Sequence, residues 1–267
     1  MTGGVAWEVR GPDGAPAVLL VPPLGRARAS WDAQTSTLAE VFRCVLFDPR
    51  GLGASAAVPG PCTVETMADD ARGVLDEASL DRVHVVGWSL GAVAAARFAL
   101  DHPGRVVSLS LLTPWARTDA ALATAFRMLR DLSVHAPPAS AELATLWLIL
   151  SRDAVNAAGP ELAVNAHATV AEPGYPVGEV SAAYLDAAIA VDLLGRLGAL
   201  AVPTLVVGGA DDVLTPVAHA RETAAAIPGA ALHVMEGSGA THALPVERAG
   251  EVNELLRKFI DGHGVPR

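Results

Sequence analysis

Residues 83–91 read Val-His-Val-Val-Gly-Trp-Ser-Leu-Gly and place a serine where it could act as a nucleophile. An apolar run, Val83 to Val86, ends in Gly87-Trp88-Ser89-Leu90-Gly91, and an Ala-rich stretch from Ala92 to Leu100 follows at once. A buried strand that meets a helix across so sharp a turn holds its serine in a strained conformation. The residues two before and two after must then be very small. Glycine at 87 and 91 meets that need. The hydroxyl stands at a helix N-terminus, where the dipole favours developing negative charge. In a chain with 25 glycines the bare Gly-x-Ser-x-Gly pattern is weak evidence. Its position between strand and helix makes Ser89 a candidate nucleophile.

Such a serine needs a base. Histidines stand at 84, 102, 135, 167, 219, 233, 242 and 263. His84 and His233 fall inside strand-like runs and are expected to be packed. His102 precedes Pro103 at a helix end. His242 closes the Gly-rich loop Gly237-Ser238-Gly239-Ala240-Thr241-His242, after the last strand. From there a side chain can reach over the C-terminal edge of a sheet, where sites in open α/β sheets form. An acid should orient that histidine and stabilise its charged form. The segment Gly208-Gly209-Ala210-Asp211-Asp212-Val213-Leu214-Thr215-Pro216 follows the preceding strand and offers two aspartates. One is the candidate; the other is a solvated loop carboxylate.

These residues require a sheet to position them. Val5–Arg10, Ala17–Val21, Val45–Phe47, Val83–Val86 and Val106–Leu112 read as strands, most of them continuous apolar runs. Helices are expected from Ser30, a candidate N-cap, to about Val41, and from near Thr63, with Met67, Ala71, Val74, Leu75 and Ala78 on one face. Alternation of this kind gives a mostly parallel, doubly wound α/β sheet with helices on both faces. The rhythm breaks at Pro114. From there to about Gly198 the stretches 120–132, 141–150, 161–171 and 181–197 look helical, and no strand is evident. It resumes with Pro203–Val207, Val217–Ile227, Ala231–Met235 and a last helix carrying Val252, Leu255, Leu256, Phe259 and Ile260 on one face. The expected organisation is one domain over 1–267. Residues 114–198 form a helical lid inserted between core segments 1–113 and 199–267.

Composition bounds the partners. A formal charge of −10 and no basic cluster argue against nucleic acid or an anionic membrane. Met1-Thr2-Gly3-Gly4 opens no signal-peptide pattern, and no apolar stretch approaches the ~20 residues of a membrane helix. Cys44 and Cys62, with no metal-site spacing, read as free thiols of a cytoplasmic protein.

On these motifs the chain resembles an α/β-hydrolase of the group holding 3-oxoadipate enol-lactonase, pimeloyl carrier-protein methyl ester esterase and the meta-cleavage C–C hydrolases. The resemblance covers nearly the whole length. It rests on Asp48-Pro49-Arg50-Gly51-Leu52-Gly53-Ala54-Ser55, on the Gly87–Gly91 turn, and on Gly209 to Pro216, whose Gly-x-x-Asp-x-x-x-Pro spacing selects Asp212. It rests also on His242 with Glu247 five residues on. The chain order Ser89, Asp212, His242 is that of the family. Two departures stand out. Ala240-Thr241 intervene where the family usually has Gly-His directly. Pro22-Pro23 stand where it reads His-Gly, and prolines donate no N–H.

The resemblance implies a Ser-His-Asp hydrolase acting on a small or medium carboxylic ester or lactone, without metal or organic cofactor. The backbone N–H groups of Leu24 and Leu90 would form the oxyanion hole. Trp88, Leu24, Trp115, Trp147 and Leu148 are expected to wall an apolar pocket. The alternatives on the same scaffold are C–C bond hydrolysis, a non-hydrolytic lyase or cyclase step, and a ligand-binding receptor.

Overall fold

The computed structural model describes residues 4–264. Residues 1–3, on which the reading of the chain's start rests, lie outside the described residues. Seven strands form one sheet: β1 (Trp7–Arg10), β2 (Ala17–Val21), β3 (Arg43–Phe47), β4 (Val83–Trp88), β5 (Val106–Leu112), β6 (Thr204–Gly209) and β7 (Ala231–Met235), in the order β1-β3-β2-β4-β5-β6-β7. All pairings are parallel except β1 on β3, which is antiparallel. The interior strands are buried on both faces, as their unbroken apolar sequences require. On β2, Val18 and Leu20 point into one core and Leu19 and Val21 into the other, the two-residue alternation of a strand.

Helices cover each face. One layer holds α1 (Asp32–Leu38) and α11 (Ala249–Asp261), with α10 (Leu244–Glu247) beside them. The other holds α2 (Val64–Glu77), α3 (Leu90–Asp101) and α9 (Val217–Ala226). Helix α2 starts at Thr63, whose hydroxyl accepts from the Thr66 N–H, and buries Met67, Ala71, Val74 and Leu75. Between β5 and β6 run five helices: α4 (Ala120–His135), α5 (Pro138–Ile149), α6 (Arg152–Ala158), α7 (Glu161–Val170) and α8 (Glu179–Ile189). The chain leaves β2 toward β3 on one side and returns through β4 on the other. A crevice therefore opens between the C-terminal ends of β2 and β4, where open α/β sheets take their ligands.

Several local expectations change. Ser30 caps nothing; it lies in a 3₁₀ turn, Arg28–Trp31, and α1 begins at Asp32 and ends at Leu38. The expected helix over 181–197 stops at Ile189. There the chain pairs with an earlier segment instead: the Thr118 N–H donates to Val191 O and the Leu193 N–H to Ala116 O. A 3₁₀ turn, Leu194–Ala199, follows. Helix α6, capped by the Ser151 hydroxyl, was not expected; its seven residues bury none of their side chains and carry no apolar stripe. His233 is exposed rather than packed, because β7 is an edge strand. His84 is buried against the Ser108 hydroxyl, and burial holds its pKa down at about 4, so it is neutral. Cys44 is buried, its thiol pushed up to about 12, while Cys62 is part-buried; both are free. No helix among the described residues is long and apolar enough to cross a membrane.

Candidate active site

Ser89 sits between β4 and α3 with φ 57° and ψ −124°, a conformation that costs a non-glycine residue about 1–3 kcal/mol. The surroundings hold it there. Its N–H donates to Leu112 O on the neighbouring strand at 2.9 Å, and its carbonyl accepts from the Ala92 N–H at 2.8 Å. A Cβ on Gly87 would stand 2.3 Å from Gly91 O, and one on Gly91 would stand 2.3 Å from Val21 O. Gly87 is therefore required by the close return of the chain into α3, and Gly91 by the packing of that turn against the end of β2.

The loops after β6 and β7 bring the other two candidates to this point. His242 Nε2 lies 2.8 Å from Ser89 Oγ, and His242 Nδ1 lies 2.9 Å from Asp212 Oδ2. Of the adjacent aspartates, Asp212 is buried and faces the histidine; Asp211 is exposed. Asp212 is over-determined: Oδ1 accepts from the Leu214 and Thr215 N–H groups at 2.9 and 2.8 Å, and Oδ2 accepts from the Thr215 hydroxyl at 2.8 Å. With those bonds fixing the carboxylate plane, the Nδ1 proton points at Oδ2, and Nε2 is left to accept from the serine hydroxyl.

The two loops are locked together. A Cβ on Gly209 would meet Ala240 O at 2.2 Å, and the Asp211 N–H donates to Ala240 O at 2.9 Å. The inserted Ala240-Thr241 is thus accommodated by burial: Thr241 donates its hydroxyl to Glu247 Oε1 at 2.6 Å. Trp88, immediately before the serine, donates its indole N–H to His242 O at 3.0 Å. Glu247 also accepts from the N–H and hydroxyl of Ser151, which joins the histidine loop to the start of α6.

A narrow cavity of about 90 Å³ contains Ser89 and His242. Its walls are largely apolar, including Phe126, Leu129, Leu185 and Leu214. Leu24 and Trp88 line it as expected. The N–H groups of Leu24 and Leu90 hydrogen-bond to no other described residue. Gly25 takes φ +66°, turning the chain back after Leu24 so that the Arg26 N–H reaches Pro23 O at 3.1 Å.

Three expected pocket residues lie elsewhere. Trp115 is 1% exposed, packs against Phe126, and donates to the Thr118 hydroxyl at 2.8 Å; it belongs to the core under the helices. Trp147 is 67% exposed, and Leu148 packs on the core from outside the cavity. The reason is helical phase. Helix α5 presents Ala141, Glu142, Thr145 and Ile149 to the cavity, which turns 147 and 148 away.

Sequence reasoning missed Arg26, Glu142, Tyr175 and Thr215, whose hydroxyl oxygen also lies 3.0 Å from His242 Nδ1. Glu142 did carry a signal: it is the only charged residue between Pro137 and Leu150. Arg26 and Tyr175 carried none, because nothing local distinguishes them from surface side chains.

Comparison with known proteins bears on the family and the fold. The alpha/beta hydrolase fold family matches residues 16–242. A protein of Caulobacter segnis named "Putative carbamate hydrolase RutD" is 34% identical over 271 residues, covering 97% of each chain. The crystal structure of the enol-lactonase from Burkholderia xenovorans LB400 superposes with a TM-score of 0.84 at 26% identity, covering 96% of this chain and 95% of that one. A thermophilic esterase from Thermogutta terrifontis gives 0.82 at 27% identity, covering 97% and 94%.

Proposed function

The chain belongs to the α/β-hydrolase family, and from that premise we propose that it is a serine hydrolase cleaving a small or medium carboxylic ester or lactone through an acyl-enzyme. One observation carries the reading: an unbroken chain of hydrogen bonds from Ser89 Oγ through His242 to Asp212, opening on an apolar cavity.

In this mechanism Ser89 Oγ attacks the carbonyl carbon as His242 Nε2 takes its proton. Asp212 holds the Nδ1 tautomer and offsets the charge of the imidazolium. The oxygen of the tetrahedral intermediate receives the N–H groups of Leu24 and Leu90, the second at the N-terminus of α3. His242 protonates the leaving oxygen, the acyl group remains on Ser89, and water activated by the same histidine releases it. Pro22 and Pro23 stiffen the loop that carries Leu24 and donate nothing themselves. Residues 114–198 act as a lid that selects the acyl group, since Phe126, Leu129, Thr145 and Leu185 all face the serine's cavity. The two free cysteines fit a cytoplasmic location.

A second reading is carbamate hydrolysis, favoured by the name that the 34% identical relative bears. The same attack would give a carbamoyl-enzyme. The test is nitrophenol release from matched p-nitrophenyl esters and N-alkyl carbamates by the wild type and Ser89→Ala. A rapid burst followed by steady ester turnover supports the first reading. Preferential carbamate turnover supports the second. Ligand binding with release no faster than from Ser89→Ala would leave a receptor on this scaffold.

A further inference from the structure

A charged cluster stands in the largely apolar wall of the cavity. Arg26, from the loop after β2, places Nη2 2.7 Å from Glu142 Oε1 and 2.9 Å from Oε2, on α5. Tyr175, between α7 and α8, donates its hydroxyl to Glu142 Oε2 at 2.7 Å, and the Arg26 guanidinium carbon lies 5.9 Å from the centre of the Tyr175 ring. All three residues line the cavity that holds Ser89 and His242. Burial alone would lower the Arg26 pKa, but the charge of Glu142, with Tyr175 and Glu172 adding to it, holds it above the usual value. Burial and the neighbouring Glu142 likewise raise the Tyr175 hydroxyl, so it stays a donor.

The cluster could be only a bolt between the β2 loop and the helices. Two features speak for more. First, Glu142 engages Nη2 alone; Nε and Nη1 bond to no described residue, yet neither is sealed from solvent. Three N–H donors therefore remain on a side chain that is 24% exposed and faces the nucleophile's cavity. Second, a buried ion pair is weak as a fastener, because its desolvation cost roughly cancels its attraction. It does hold a guanidinium plane in one orientation, as recognition by hydrogen bonding requires.

The charge count selects the guest. Glu142 already neutralises Arg26, and Glu172 adds to the negative surroundings. A carboxylate brought here would be a net buried charge, which is costly. A neutral carbonyl oxygen could take the free N–H groups without that cost. Resting on the hydrolase reading above, we propose that Arg26, oriented by Glu142 and Tyr175, selects acyl substrates that carry a second, neutral carbonyl oxygen beyond the scissile one, such as an oxo-acyl or acylamino-acyl group.

The test uses p-nitrophenyl oxo-acyl esters of increasing length, each against the plain acyl ester of the same length and the isosteric half-ester with a free carboxylate. At the best-fitting length the wild type should favour the oxo-ester by about tenfold or more in kcat/KM. Arg26→Met should reduce that ratio to about twofold or less. Arg26→Met/Glu142→Gln should do the same while removing the unpaired carboxylate, so the ratio can be read even if the single variant folds poorly. Binding of the same ester pairs to Ser89→Ala gives a readout independent of turnover, with about tenfold tighter binding of the oxo-ester expected. That arm still decides the proposal if no ester is hydrolysed, an outcome that would count against the hydrolase reading alone. Ratios near one at every length, ratios unchanged by Arg26 substitution, or an Arg26-dependent preference for the carboxylate half-ester would each overturn the proposal.

Discussion

The two walls of the cavity are built on different principles. One is the C-terminal edge of the sheet, which supplies Leu24, Ser89 and His242, with Asp212 behind the histidine, from loops that each follow a strand. There the reacting groups are fixed by several bonds: Asp212 accepts four hydrogen bonds counting that from His242, and the Ser89 backbone is pinned on both sides. The other wall is the helical segment between β5 and β6, which contributes mainly side chains that fill space. Its dense polar contact with the opposite wall inside the cavity is the Arg26–Glu142–Tyr175 cluster. A wall that must hold reacting atoms needs directional bonds, whereas one that selects a shape needs only surface. Substitutions on the first should lower turnover of every substrate, and substitutions on the second should change which substrate is preferred.

That division can be broken in graded steps. Asp212→Asn should lower kcat by about 10⁴-fold on all esters, because His242 loses the partner that sets its tautomer. Asp211→Asn, on the exposed neighbour, should stay within about twofold. Steady-state kinetics on both variants checks the pair, and the reverse order would move the acid to Asp211. On the proposed mechanism, in which the Leu24 N–H donates to the oxyanion, Leu24→Pro should cost about 10²–10³ in kcat, while Leu24→Ala keeps the N–H and most of the turnover. A Leu24→Pro protein with normal melting temperature and near wild-type kcat would mean that only Leu90 donates.

On the helical wall, Leu129→Ala should change the ratio of long to short acyl esters several-fold with a smaller change in kcat on the best substrate. Uniform loss across the ester series would instead make Leu129 part of the catalytic wall. The smallest effect is expected at Trp147, which is exposed and outside the cavity. Trp147→Ala should leave acyl preference within about twofold, and a marked shift in that series would restore it to the pocket.

The same contrast explains what the sequence disclosed. The meeting of Ser89, Asp212 and His242 was legible because their loops obey tight local rules: glycines at 87, 91 and 209 are forced by backbone approaches near 2.3 Å or less. The choice of Asp212 over Asp211 followed from spacing to Pro216, and the structure puts Asp212 against His242. On the helical wall the existence of helices was legible, but their phase was not. Large apolar side chains suit a pocket, which is the ground for expecting Trp147 and Leu148 in its wall. Yet α5 is apolar nearly all round, so no stripe marks its cavity face. The early end of α8 was hidden too, because the competing pairing with Ala116 and Thr118 comes from residues some 70 positions away.

Activation of Ser89 as a nucleophile through His242 and Asp212 can be read out chemically. Its most direct test is covalent: treat the protein with a fluorophosphonate and identify the modified residue by peptide mass spectrometry. Stoichiometric modification of Ser89 is expected, with strong slowing of labelling in Asp212→Asn and none in a folded Ser89→Ala protein. Modification that persists in Ser89→Ala, or a wild-type Ser89 that stays unmodified while other serines react, would contradict it.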